Sequence, residues 1–215
     1  MILDVKAAIF DMDGTILDSL FVWDKILFEF SESVSGKPDF ALKDMVSGLS
    51  LREGAALLRS LYRLDMTTDE IVLEFNRRLA YFYENEVEAK PGVREYIEKL
   101  KASGIRVCVV TESSGALAEA AFRRLEMADL FEFVISCQDS GTGKNTPDVY
   151  FEAAARFDAR PCECLVFEDA LYALRTARNA GFHAVAVYDP YETRPDEMKS
   201  LADAYVESYE GRTPV

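Results

Sequence analysis

The amino-acid sequence predicts a doubly wound α/β protein, in which a parallel, Rossmann-like sheet carries helices on both faces and an all-helical segment follows the first strand. Five short apolar runs are continuous rather than alternating, which is typical of buried parallel strands. Helical patterns separate the last four of these runs. Residues 18–87, which follow the first run, carry helical patterns alone. Alternation of strands and helices indicates a doubly wound sheet.

The predicted strands are short and lie mostly in the second half of the chain. They are VKAAIF (residues 5–10), IRVCVV (105–110), FEFVIS (131–136), CLVF (164–167) and HAVAVY (183–188).

Helix start and stop signals precede each of the last four predicted strands. The segment PGVREYIEKLKASG has Pro91 near its first turn and Gly104 at its end. Further helices are predicted after Ser114, from Pro147, and from about Ala170. Each of them fills the interval between two strands, as a parallel sheet requires.

The segment after the first strand is predicted to be a separate helical domain. Residues 50–53 and 67–70 each match a capping box, a hydroxyl followed three residues later by a glutamate. Residues 21–30 predict a further helix. We therefore expect an α/β core formed by residues 1–17 and 88–215, and an inserted helical domain formed by residues 18–87.

The composition excludes several classes of partner. The chain has 215 residues, 49% of them hydrophobic and 29% charged, which is ordinary for a globular protein. Its formal net charge of -14 argues against a nucleic acid or a membrane as the main partner. The sequence shows no signal-peptide pattern, no run long enough to cross a bilayer, and too few cysteines for a disulfide scaffold. We therefore expect a cytoplasmic protein with reduced cysteines, and a monomer by default.

Charged and polar side chains follow four of the predicted strands at their carboxyl ends. The four segments are residues 11–15 (DMDGT), residues 111–114 (TESS), Lys144 within GTGKNTPD, and the pair Glu168 and Asp169. In a parallel α/β sheet these ends converge on one crevice. Carboxylates there suit Mg²⁺, while hydroxyls, helix amides and a lysine suit a phosphate. A metal ion would also relieve the repulsion between Asp11 and Asp13.

These segments resemble the four motifs of the haloacid dehalogenase superfamily. The matching stretches are FDMDGTILDS, VVTESS, the lysine of GKNTPD, and VFEDALYALRTARNAGF, in that order. The helical insertion after the first motif is similar to that of the capped subfamily, which includes β-phosphoglucomutases and phosphoglycolate phosphatases. This similarity implies that residues 18–87 are a cap domain and that residues 1–17 and 88–215 are the catalytic core. The resemblance covers nearly the whole chain and implies a Mg²⁺-dependent enzyme that acts on a small phosphorylated metabolite.

The resemblance also implies a role for each acidic residue of the motifs. Asp11 is the expected nucleophile, which forms an aspartyl-phosphate. Asp13 is the expected general acid and base, and its backbone carbonyl is expected to bind Mg²⁺. Asp169 is expected to bind the metal directly, with Glu168 in or beside the set of groups that orient it. The predicted metal site is therefore Asp11, Asp13, Glu168 and Asp169.

The remaining motif residues are expected to hold the phosphoryl group. The resemblance implies that Thr111 and the backbone amide of Glu112 bind phosphoryl oxygens, and that Lys144 neutralises the charge on them. The family usually has a small or neutral residue at position 112. We expect the carboxylate of Glu112 to point toward the cap domain or solvent, because a carboxylate aimed at the phosphate would weaken binding.

The residues at positions 13 and 23 favour a phosphatase within this superfamily. The second aspartate, Asp13, indicates phosphoryl transfer rather than dehalogenation. Trp23 occupies the position at which the resembling mutases carry a histidine, and the single histidine, His183, is predicted to be a sheet residue without a catalytic part. A hexose-phosphate mutase is the first alternative. A phospho-ligand-binding protein without turnover is the second, and the intact acidic motifs argue against it.

Two features of the insertion remain open at this point. Arg52 is either a surface residue or a contact to the substrate, and Trp23 is a candidate for such a contact. The aromatic run at residues 81–83 is predicted to pack the helix that contains it.

Overall fold

A six-stranded parallel sheet forms the centre of the computed structural model, which describes residues 5–214. In chain order the strands of this sheet are β1 (Ala7–Phe10), β4 (Arg106–Thr111), β5 (Val134–Ser136), β6 (Cys164–Glu168), β7 (His183–Val187) and β8 (Ala204–Val206). Their order across the sheet is β5-β4-β1-β6-β7-β8. The five predicted strands are confirmed as β1, β4, β5, β6 and β7. The edge strand β8 was not predicted, because three residues in a polar context carry too little apolar pattern.

Helices cover both faces of the sheet, as predicted. They are α5 (Val93–Ala102), α6 (Gly115–Arg124), α7 (Cys137–Ser140), α8 (Asp148–Arg156), α9 (Leu171–Asn179) and α10 (Pro195–Leu201), with single 3-10 turns at Ala128–Leu130 and Pro161–Glu163. The side chains of β1 alternate between two separate apolar clusters: Ala8 and Phe10 contribute to one, and Ala7 and Ile9 to the other. The predicted doubly wound architecture is therefore confirmed.

Four helices follow the first strand. They are α1 (Leu20–Ser35), α2 (Leu42–Val46), α3 (Leu51–Tyr62) and α4 (Thr68–Asn85). Both predicted capping boxes are present: Ser50 accepts from the Glu53 amide at the start of α3, and Thr67 accepts from the Glu70 amide at the start of α4. We refer to residues 20–85 as the helical insertion.

A small two-stranded sheet joins the helical insertion to the rest of the chain. Strand β2 (Leu17–Asp18) pairs antiparallel with β3 (Glu88–Ala89), so the chain enters and leaves the insertion side by side. Sequence reasoning missed this pairing, since two-residue strands carry no periodicity. The pairing lies at the predicted boundaries 17/18 and 87/88. The division into two domains stays a prediction. Residues 1–4 of the predicted core lie outside the described part of the chain.

Within residues 5–214, no helix has the length and apolar character needed to cross a membrane.

Candidate active site

Asp11 lies directly after β1 and faces a buried lysine. Lys144 Nζ donates to Asp11 Oδ1, and to Glu168 Oε1 at 2.7 Å. Burial disfavours the charged ammonium, but the attraction of Asp11 and Glu168 outweighs it and raises the pKa of Lys144 well above its ordinary value. Tyr150 Oη donates to the same Glu168 oxygen at 2.7 Å. The site therefore holds a fixed positive charge, with its side chain only 2% exposed.

Three buried carboxylates form an acidic cluster at the carboxyl ends of β1 and β6. Oxygen atoms of Asp11, Glu168 and Asp169 all lie within 4.8 Å of one another. Burial, followed by repulsion from Asp11 and Glu168, raises the pKa of Asp169 well above its ordinary value. Burial likewise raises the pKa of Glu168, to about 8, although Lys144 opposes the change.

This cluster fits Mg²⁺ by the chemistry of its donors. All of its atoms are carboxylate oxygens, which a hard divalent cation prefers. The Lys144 ammonium contacts Asp11 and Glu168, two of the three carboxylates, so an added cation would reduce the remaining repulsion. Thr15 Oγ1 donates to Asp169 Oδ1 at 2.9 Å and fixes one carboxylate, as the surroundings of metal ligands commonly do.

Asp13 has different surroundings from Asp11. Ser19 Oγ donates to Asp13 Oδ1 at 2.6 Å, Tyr83 Oη donates to the same oxygen, and Ser113 Oγ donates to Oδ2 at 2.5 Å. Burial, followed by repulsion from Asp11, raises the pKa of Asp13, although the three hydrogen bonds oppose the rise. Two aspartates separated by one residue are thus held in two distinct environments.

Trp23 reaches this network indirectly. Its Nε1 donates to Tyr83 Oη at 2.9 Å, and Tyr83 is fully buried on α4. Tyr83 packs in the buried stripe of its helix, and its hydrogen bond to Asp13 was not predicted. One signal could have revealed it: residues 71, 75, 79 and 83 form the buried stripe of α4, and a tyrosine on such a stripe needs a hydrogen-bond partner. The indole of Trp23 also lines the cavity described below.

The segment after β4 supplies hydroxyls and a further carboxylate. Thr111 is buried, and its Oγ1 accepts from the Ser113 amide at 3.0 Å. The carboxylate of Glu112 contacts the loop that carries Lys144, and Glu112 also lines the cavity described below. Its Oε1 accepts from the backbone amide of Lys144 at 2.7 Å, because the loop amide needs an acceptor and Glu112 lies within reach. Burial raises the pKa of Glu112, and this hydrogen bond opposes the rise.

A cavity of about 500 Å³ lies between the ends of the strands and the helical insertion. Asp11, Asp13, Lys144 and Asp169 form its polar floor. Apolar side chains of the insertion, including Leu58 and Phe75, form much of its wall. Its volume is within the range of about 300–1,000 Å³ that is typical of small-molecule sites.

Arg52 and His183 both lie away from this cavity. The guanidinium of Arg52 pairs with Asp69 at 2.6 Å, and both side chains are largely exposed. The structure thus places Arg52 on the surface, outside the lining of the cavity. His183 begins β7, with Nδ1 3.5 Å from a carboxylate oxygen of Asp203, and does not line the cavity.

Sequence reasoning missed the hydroxyls around the aspartates. Thr15, Ser19 and Ser113 had no assigned hydrogen-bond role, because a serine or threonine near a helix start is ordinarily a cap. At the start of α6, Ser114 is the residue that caps the helix. Only the folded chain shows that Ser113 instead reaches Asp13.

The fold and the site together define an α/β enzyme whose acidic groups lie at the carboxyl ends of parallel strands. The chain belongs to the haloacid dehalogenase-like hydrolase family, whose model matches residues 5–181. The predicted family and the predicted hydrolase class are confirmed.

Individual relatives extend this similarity over nearly the whole chain. Phosphoglycolate phosphatase of Nitrosospira multiformis is 31% identical, over 96% of this chain and 93% of its own. A probable pseudouridine-5'-phosphatase of Drosophila melanogaster is 28% identical, over 86% and 83%. The crystal structure of CbbY from Rhodobacter sphaeroides in complex with phosphate covers 96% of both chains with a TM-score of 0.82 at 22% identity, which supports the fold.

Proposed function

We propose that the chain is a Mg²⁺-dependent phosphatase that hydrolyses a small phosphomonoester through an aspartyl-phosphate on Asp11. The observation that carries the proposal is the contrast between the two neighbouring aspartates. Asp11 faces the ammonium of Lys144, whereas Asp13 contacts three hydroxyl groups. The names of the relatives, which are phosphatases of small phosphorylated compounds, support the same reaction class.

Asp11 is the proposed nucleophile. Its carboxylate attacks phosphorus, a new bond forms between its oxygen and phosphorus, and the bond from phosphorus to the leaving oxygen breaks. Lys144 keeps a positive charge beside the attacking carboxylate and the phosphoryl oxygens. Thr111 and the Glu112 amide are proposed to hold those oxygens at the carboxyl end of β4.

Asp13 is the proposed proton donor and acceptor. Its raised pKa favours the protonated form, so it can donate a proton to the leaving oxygen. The resulting carboxylate then takes a proton from the water that attacks the aspartyl-phosphate, which restores Asp11 and releases phosphate. The hydroxyls of Ser19, Tyr83 and Ser113 stabilise Asp13 when it is charged and hold its oxygens in place.

Asp11, Glu168, Asp169 and the backbone carbonyl of Asp13 are the proposed residues for Mg²⁺. When bound, the ion supplies positive charge to the phosphoryl oxygens. Glu168 also accepts from Lys144 and Tyr150, so it links the acidic cluster to the ammonium.

The helical insertion is the proposed cap domain. Its α3 and α4 line the cavity above Asp11, so it can exclude water while the phosphoryl group is transferred. The substrate enters as a small phosphorylated metabolite, and the protein is proposed to act in the cytoplasm as a monomer.

The mutase alternative is disfavoured at Trp23. The indole N–H is already donated to Tyr83 Oη, and an indole cannot exchange a proton as an imidazole does. The alternative of a protein without turnover is disfavoured by the buried and mutually connected positions of Asp11, Lys144 and Glu168.

Phosphate release from p-nitrophenyl phosphate tests the proposal. We expect turnover with Mg²⁺, its loss with EDTA, and its loss in Asp11→Asn with the fold retained by circular dichroism. Turnover that survives either change would contradict the mechanism. Conversion of β-glucose 1-phosphate to the 6-phosphate faster than its hydrolysis would favour the mutase.

A further inference from the structure

The wall of the cavity beyond the acidic cluster is largely apolar. Leu27, Leu49, Leu58 and Phe75 of the helical insertion line it, together with the indole of Trp23. A sugar or a short hydroxy acid has few apolar surfaces to place against such a wall. An apolar or aromatic group would gain stability there in proportion to the area that it buries.

The cations of the cavity already have acidic partners. Among the described residues, Lys43, Lys144 and Arg194 are the cations that line it. Lys43 Nζ lies 2.7 Å from Asp24 Oδ2, and Arg194 Nε lies 3.2 Å from Glu192 Oε1.

The third cation, Lys144, belongs to the phosphate end of the site, where it contacts Asp11 and Glu168. Glu112 adds a further carboxylate to the wall. A second anionic group on the substrate would therefore meet no unpaired cation among the described lining residues, and it would face excess negative charge.

We infer that the substrate is the phosphomonoester of an uncharged alcohol that carries an apolar or aromatic ring, rather than a phosphorylated acid, a bisphosphate or a simple sugar phosphate. The inference rests on the proposed phosphatase function and adds the chemistry of the leaving group. The cavity of about 500 Å³ is large enough for a fused ring beside the phosphate.

Three esters of primary alcohols test the inference with closely matched leaving groups: 2-naphthylmethyl phosphate, glucose 6-phosphate and 2-phosphoglycolate. With Mg²⁺ present, we expect kcat/KM for 2-naphthylmethyl phosphate to exceed each of the others by at least about tenfold. Equal values, or a preference for either of the others, would overturn the inference and leave the phosphatase function intact. Hydrolysis of p-nitrophenyl phosphate but of none of the three would overturn the inference alone. Hydrolysis of none of the four by the folded protein would overturn both.

Gly54 allows the cavity to be narrowed. It lies on α3 and lines the cavity, and a Cβ placed on it would meet only the Val46 side chain, at 3.9 Å. We expect Gly54→Leu to lower the ratio of kcat/KM for 2-naphthylmethyl phosphate to that for 2-phosphoglycolate by about tenfold. The ratio is insensitive to the fraction of folded enzyme. An unchanged ratio would count against the apolar wall as the binding surface.

Asp24 allows the charge argument to be tested separately. Asp24→Asn leaves Lys43 without its carboxylate partner. We therefore expect kcat/KM for 2-phosphoglycolate, divided by that for 2-naphthylmethyl phosphate, to rise severalfold. The matched control is Asp69→Asn, which removes the partner of Arg52 on the same insertion but outside the cavity. We expect Asp69→Asn to leave this ratio of kcat/KM values unchanged. A rise in both variants, or in neither, would contradict the role assigned to the pairing of Lys43.

Discussion

Gly14→Ala is expected to inactivate the enzyme by displacing Asp169. Gly14 has a φ of +84°, a conformation that costs other residues about 1–2 kcal/mol. A Cβ at this position would overlap Asp169 Oδ2 and lie 2.7 Å from Asp169 Cγ. Since carbon atoms in contact lie about 3.5 Å apart, the Asp169 carboxylate has to move by roughly 0.8 Å.

The displacement and the backbone strain have separable consequences. A misplacement of about 1 Å in a catalytic group costs on the order of 100-fold in rate. The strain alone lowers the free energy of unfolding by about 1–2 kcal/mol. The control is Gly104→Ala, because Gly104 has the same φ of +84° and its added Cβ would meet nothing within 4 Å.

Denaturant unfolding and steady-state phosphate release measure the two effects. We expect Gly104→Ala to lose the free energy of the backbone strain alone, and Gly14→Ala to lose at least as much because of the added overlap with Asp169. Only Gly14→Ala should lose about 100-fold in kcat/KM. Activity of Gly14→Ala within a few-fold of the unmodified enzyme would refute the reasoning. An equal loss of activity in Gly104→Ala would also refute it, since that change touches nothing near the site.

Three further predictions concern the hydrogen bonds and charges of the structure. Tyr83→Phe removes one donor to Asp13, so kcat should fall more for an alkyl phosphate, whose leaving oxygen needs a proton, than for p-nitrophenyl phosphate. With EDTA present, stability should fall as pH rises from about 4.5 to about 8, because burial raises the pKa of Glu168 in the folded state. Thermal unfolding measures this fall, and Glu168→Gln should flatten it. Thr67→Ala should cost about 1 kcal/mol in denaturant unfolding, since it removes the N-cap of α4.

Each of these predictions has a result that contradicts it. An equal loss of kcat on both esters would show that Tyr83 does not act through proton transfer at Asp13. Stability that rises over the same pH interval, or that falls equally in Glu168→Gln, would contradict the raised pKa of Glu168. A Thr67→Ala variant as stable as the unmodified protein would leave the capping box without an energetic role.

The sheet and the acidic motifs could be predicted from sequence, because both have local signatures. Continuous apolar runs mark buried strands, and the aspartates follow them directly, so the topology brings Asp11 and Asp169 together. Capping boxes identified the starts of α3 and α4 for the same reason. These features depend on neighbours within a few residues along the chain.

The residues that sequence reasoning missed depend on contacts between distant segments. Tyr83 lies 70 positions from Asp13, and Ser113 lies 100 positions from it. Arg52 was considered as a substrate contact because of its place in the insertion, but its side chain pairs with Asp69, 17 positions away, on the surface. The direction of a side chain at the start of a helix depends on packing against distant segments, which a local sequence pattern does not indicate.

The contacts of Asp13 make its surroundings depend on where the helical insertion lies. Ser113 belongs to the segment after β4, whereas Tyr83 belongs to α4 of the insertion, and Trp23 of α1 donates to Tyr83 in turn. Any displacement of α4 from the strand ends breaks the hydrogen bond from Tyr83, while the bond from Ser113 persists. Loss of this donor raises the pKa of Asp13, whereas the entry of water lowers it, because burial is the largest cause of its raised pKa. The position of the insertion therefore sets the proton affinity of Asp13 as well as the volume of the cavity.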